Sequence, residues 1–127
     1  MNYNDLINKI YQKTIENQFY VVNIEGKEPV TGYTVSTIGN ELRIKLSDFT
    51  PEKIDKYIKT KLLRYPYAYF GTWILDDTVY IDVLYYTECK AIAIEAGKMF
   101  GQVCIWDISS KQEIYWLSEA LFEYSLN

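Results

Sequence analysis

The chain has no histidine. That absence removes the Ser-His-Asp and Cys-His nucleophile systems, imidazole metal ligands and the usual general base near neutral pH. Cysteine is nearly missing too. Cys89 and Cys104 are the only two, too few for the disulfide framework of a small secreted protein or for a thiolate zinc site. Both read as reduced, buried thiols of a cytosolic protein. Neither Gly-x-x-x-x-Gly-Lys-[Ser/Thr] nor Gly-x-Gly-x-x-Gly occurs, so the common phosphate-cradling loops are missing. No apolar run approaches the ~18 residues that a membrane span needs. The opening "MNYNDLINKIYQK" has no basic start followed by an apolar stretch and does not read as a signal peptide. The expectation is a cytoplasmic protein with no membrane partner, no cofactor, no metal and no catalytic residues.

What is present is aromatic and acidic. At 127 residues the chain has the size of one domain, which buries about two-thirds of its unfolded surface without a staple. Aromatic residues make up 17%, with 13 tyrosines. Tyrosine suits strands and, through its hydroxyl handle, also suits interfaces. The net charge of −4 argues against gripping nucleic acid by its phosphates. It fits solubility, or contact with a basic protein partner. The densest cationic group is Lys53, Lys56, Lys59, Lys61 and Arg64, which reads as the solvated face of a helix.

Periodicity organises the rest. Residues 4–17 place Leu6, Ile7, Ile10, Tyr11 and Ile15 on one helical face, with Asn2 or Asn4 as cap. "FYVVNI" reads as a strand. "GYTVSTI" and "ELRIKLS" read as two strands of a hairpin turning at Gly39-Asn40, with Leu42, Ile44 and Leu46 inward. "TPEKIDKYIKTKLL" is a second helix, capped by Thr50 with Pro51 first and Ile54, Tyr57, Ile58 and Leu62 buried. Residues 69–75 and 79–86 form a hairpin around "DDT". In its second strand Val79, Ile81, Val83 and Tyr85 face the core, and Tyr80, Asp82, Leu84 and Tyr86 face away. Thr87 begins a third helix whose inner side carries Cys89, Ile92, Ala93, Ala96, Met99 and Phe100. "QVCIWDI" and "EIYWL" close a last hairpin, and residues 118–124 add a short helix. The order αβββαββαββ predicts a single α+β domain spanning 1–127, with three helices and a mainly antiparallel sheet of about seven strands.

The candidates for chemistry are few. Paired carboxylates can run a glycosidase or hold Mg²⁺, and Asp82 and Asp107 each interrupt an apolar strand. An exposed sheet face or a strand end accounts for both. Asp76-Asp77 is what a tight turn prefers. In "RYPYAYFGTW" Tyr69, Phe70 and Trp73 read as strand packing, whereas Tyr65 and Tyr67, in a connecting loop, are candidates for partner contact. The acids Asp76, Asp77, Glu119 and Glu123 complete the candidate contact set.

Four segments, "GKEPVTGYTVS", "YFGTWILDDTVYIDV", "AIAIEAGKMFGQ" and "CIWDISSKQEIY", carry a resemblance. They resemble a family of small proteins borne by bacteriophages, plasmids and integrative elements. The family's pattern falls here on Pro29, Gly32, Tyr33, Val35 and Ser36, then on Gly71, Thr72, Trp73, Val79, Tyr80 and Asp82. It continues on Ala93, Gln102, Ile105, Asp107 and Ile114. Cys104 and Gly101 depart from it, standing where the family often has alanine and asparagine. The likeness spans roughly residues 26–115. It implies a setting, a small cytosolic protein made by a mobile element inside a bacterial host. By analogy with that context, and with the catalytic machinery absent, the expectation is a non-enzymatic protein that binds a host protein and inhibits a defence nuclease (anti-CRISPR or anti-restriction). The alternative expectation is a self-assembling accessory protein, a homodimer built on an exposed strand face.

Overall fold

The first two helices start where local capping chemistry puts them. The computed structural model describes residues 1–116. It contains three α-helices and seven strands, and every described strand pairing is antiparallel. This is the α+β class that the pattern predicts, in the same element order.

The chain gathers into two compact units. The first holds Met1–Glu28 and Gly39–Leu84. Its helix α1, Tyr3–Asn17, starts where the Asn2 side chain accepts the Asp5 N–H, the N-cap arrangement that satisfies an otherwise orphaned donor. Helix α2, Pro51–Leu62, begins with Thr50 accepting from the Lys53 N–H and with proline in the first turn, where its missing N–H costs nothing. Strand β1, Phe19–Asn23, pairs with β4, Tyr69–Leu75, which pairs with β5, Thr78–Thr87. On the other side of β5 lies β3, Leu42–Lys45. Leu6, Ile7 and Ile10 of α1 and Ile54, Tyr57 and Ile58 of α2 cover Val22, Ile44, Phe70, Val79, Ile81 and Val83 of the sheet in one buried cluster.

The second unit holds Pro29–Ile38 and the described chain from Tyr85 onward. Its strand β2, Tyr33–Ser36, pairs with β6, Cys104–Asp107, and β6 with β7, Gln112–Tyr115. Helix α3, Lys90–Met99, packs on this set through a small core of Val35, Ala93 and Ile105.

Several expectations are corrected. Gly39-Asn40 is not the turn of a hairpin: β2 pairs with β6 and β3 with β5. Gly39 does take a positive φ of 71°, but Asn40 is buried. Its carbonyl and amide oxygens accept bonds from Tyr57 and Lys61, and its amide N–H donates to Tyr65. In α1 Ile15 is exposed and Thr14 is buried instead, because the Thr14 hydroxyl is spent on the Ile10 carbonyl and on Thr72. Leu42 and Tyr85 are also exposed. In α3 the inner line is Ala93 and Gly97, while Cys89, Ile92 and Met99 are exposed. A Cβ on Gly97 would stand 2.6 Å from the Trp116 ring, so close approach, not bulk, selects the buried face. Cys104 is only half-buried.

Candidate functional site

An open groove of about 650 Å³ runs between β3 and α2 of the first unit. One wall is residues 39–45; the other is formed by α2, including Lys53, Lys56, Tyr57 and Lys61. The connection explains the layout. After Lys45 a 3-10 turn, Leu46–Asp48, turns the chain into α2. The helix then runs back beside the strand until Lys61 reaches Asn40, its Nζ 3.0 Å from the amide oxygen. The Tyr57 hydroxyl donates to the Asn40 carbonyl at 2.6 Å. Burial pushes the Tyr57 phenol well above its usual pKa, and the Asp82 carboxylate adds to the shift.

Charge sets this groove apart from the rest of the molecule. Five cations, Arg43, Lys45, Lys53, Lys56 and Lys61, line it with two acids, Glu41 and Asp48, in a chain of net charge −4. Arg43 is held by Glu41 at 3.1 Å. Lys45, Lys53 and Lys56 form none of the ion pairs found among the described residues, and all three are exposed. Lys59, from the same sequence cluster, turns elsewhere, to Asp55 at 3.2 Å and over the Tyr3 ring. The sequence had marked Lys53, Lys56 and Lys61 only as a solvated helix face. The missed signal was the second basic pair, Arg43 and Lys45, on the strand just before that helix.

The face of the first unit's strands turned away from α1 and α2 carries a row of rings. Register aligns Phe19, Trp73, Tyr80 and Arg43 across β1, β4, β5 and β3. Trp73 and Tyr80 stack with centroids 5.5 Å apart and planes 3° from parallel, and the Arg43 guanidinium lies 5.4 Å from the Tyr80 centroid. Tyr80 therefore has an indole on one side and a cation on the other. This is a cross-strand ladder that stabilises the sheet, and Tyr80 has no face left for a stacked base.

The expected contact residues that fall among the described residues do not converge. Tyr65 is partly buried against the main core, beneath Arg64 and bonded to Asn40. Tyr67 is 93% exposed. Asp76 and Asp77 are exposed at the β4–β5 tip, where Asp76 adopts a positive φ of 55° and the Asp77 carbonyl accepts from the Leu46 N–H. The length of β4 separates Tyr67 from that tip by about 20 Å. Glu119 and Glu123, with the expected helix at 118–124, lie outside the described residues.

The two strand carboxylates have structural partners. Asp82 is buried, not on an exposed face. It lies opposite Gly71 and accepts the Val83 N–H at 2.8 Å, and Leu84 fills the space over that glycine. Asp107, in the second unit, accepts the Ser109 N–H at 3.1 Å and so builds the turn before β7. Among the described residues no group of three or more histidine, cysteine or acidic side chains is placed to hold a metal ion, and no helix is long and apolar enough to cross a membrane.

No known family model, curated protein or solved structure matches the chain.

Proposed function

We propose that this chain is a non-enzymatic binding protein that acts by occupying a partner protein. The observation that carries this reading is the β3–α2 groove, lined on its helix side by Lys53 and Lys56, two exposed lysines that form none of the ion pairs found among the described residues, in a chain of net acidic charge. Cations left unpaired beside a cleft are available to a partner's carboxylates, and such complementarity chiefly sets association rate and specificity. Tyr80 supports a protein partner over a nucleic acid, since both of its faces are taken within the sheet, by Trp73 and by Arg43. The setting implied by the sequence resemblance is a mobile element inside a bacterium, and inhibition of a host defence nuclease, by analogy with that setting, is the biological context we propose. It rests on the motif pattern and that analogy alone.

The test is affinity capture from host lysate with the tagged wild-type chain and with the K53E/K56E variant, followed by mass spectrometry. The expected result is a protein retained by the wild type, lost in the variant and released near 1 M salt, where screening falls to ~3 Å. Recovery of only the chain itself would contradict the reading and favour self-assembly.

A further inference from the structure

We propose that the groove takes an extended, acidic segment of the partner, added as a strand to the outer edge of β3. This rests on the reading of the chain as a protein-binding protein and names the chemistry of what it holds.

Three observations carry it. First, β3 is an edge. Among the described strands its only pairing is with β5, through Leu42 to Ile81, Arg43 to Tyr80, Ile44 to Val79 and Lys45 to Thr78. An edge strand directs the N–H and C=O of every second residue away from the sheet, which is a ready template for another extended backbone. Second, the groove follows that edge over residues 39–45. About six residues of an added strand, at ~3.3 Å each, fit that length. Third, the helix beside the edge supplies charge of one sign. Lys53 and Lys56 are three apart and so share one face of α2, and both line the groove.

Alternation then fixes the ligand pattern. Leu42 and Ile44 point to the α2 side of the sheet, since their register partners Ile81 and Val79 belong to the core beneath that helix. An added strand turns every second side chain to the same side. Carboxylates there meet Lys53 and Lys56, and an aliphatic side chain among them covers Leu42, which is 40% exposed. A second copy of this chain is a poor occupant, because antiparallel pairing of two β3 edges brings Arg43 and Lys45 of one copy against those of the other. A nucleic acid answers the lysines but not the backbone edge.

The test titrates ¹⁵N-labelled full-length protein with a heptapeptide that carries glutamate at positions 1, 3 and 7, valine at position 5 and threonine at the positions between, so that carboxylates and the aliphatic side chain share one side of the strand. Its controls are the same peptide N-methylated at alternate residues and an oligothymidylate of equal charge. The expected result is shift changes centred on the amides of Leu42 to Lys45 and on α2 near Lys53. Affinity should fall at least tenfold on N-methylation, and at least tenfold in K53E/K56E. Both lysines are exposed, so that variant keeps the fold, which circular dichroism checks. Equal binding by the N-methylated peptide would overturn strand addition and leave only charge attraction. Preference for the oligothymidylate, or no shifts at β3 with any probe, would overturn the proposal outright. A partner captured equally by wild type and K53E/K56E would instead leave the chain a binding protein and remove the groove from its contact surface.

Discussion

The Tyr57 hydroxyl donates to the Asn40 carbonyl oxygen across 2.6 Å, joining α2 to the residue just ahead of β3. Tyr57 is itself buried, so this bond fixes the width of the groove at one end as well as satisfying a buried acceptor.

Tyr57→Phe should therefore lower stability by about 0.5–1.5 kcal/mol, the net worth of one hydrogen bond, read by urea titration. Its pH dependence has a defined sign. Burial, then the Asp82 carboxylate, raise the folded phenol above its ordinary value, which is near 10 in the unfolded chain. The contribution is complete below about pH 10 and is lost as pH rises toward the raised folded value. Tyr3 and Tyr20 are raised in the same direction, by burial first and then by Asp55 and Glu28. The variant should lose stability above about pH 10 less steeply than wild type, without becoming flat. An unchanged slope would show that Tyr57 does not titrate with folding.

The buried hydroxyls of Thr14 and Thr72 meet at 2.5 Å, and Thr14 also donates to the Ile10 carbonyl. The proton between the two threonines is therefore Thr72's. Thr14→Val strands that donor and should cost about 1–3 kcal/mol, whereas Thr72→Val leaves the Ile10 bond intact and should cost about 1 kcal/mol or less. The double variant should cost less than the sum, because the stranded hydroxyl is gone. Equal single costs would contradict this assignment of the proton.

Gly97→Ala separates helix propensity from packing. Propensity alone predicts a gain of about 1 kcal/mol in α3. The new Cβ would stand 2.6 Å from one Trp116 ring atom and 2.9 Å from another, and overpacking of this kind costs about 1–3 kcal/mol. A net loss is expected, accompanied by a change in tryptophan emission. A gain in stability would show that Trp116 yields freely.

Asp76 holds a left-handed backbone at a hairpin tip, a conformation that glycine adopts without strain. Asp76→Gly should leave stability within about 0.5 kcal/mol of wild type, while Asp76→Ala should lower it by about 1 kcal/mol. If the acid serves only the turn, partner capture should be the same for Asp76→Gly and wild type. Reduced capture with unchanged folding would return Asp76 to the contact surface.

The parts of the fold readable in the sequence were those encoded locally. Thr50, Pro51 and the stripe Ile54, Tyr57 and Ile58 define α2 from cap to buried face, and Asp76-Asp77 marks its hairpin. Where packing depended on distant partners the pattern misled. Gly39-Asn40 has the residues of a turn, yet strand choice is non-local, and β3 found β5. In α3 the bulky residues implied a buried face that Ala93 and Gly97 occupy, because there the helix packs by close approach. The site was hidden for the same reason. Arg43 and Lys45 alternate on a strand and Lys53, Lys56 and Lys61 punctuate a helix, and only the folded connection places them along one cleft. Tyr65, read as a contact residue from its loop position, is drawn inward by Asn40.

The most direct test of the groove as the contact surface is amide hydrogen exchange on the chain alone and in complex with its captured partner. Strand addition predicts new protection concentrated at Leu42 to Lys45, with smaller changes along α2 from Lys53 to Lys61. Protection confined to Tyr67, to the Asp76-Asp77 tip or to the second unit, with β3 exchanging as fast as in the free chain, would contradict it.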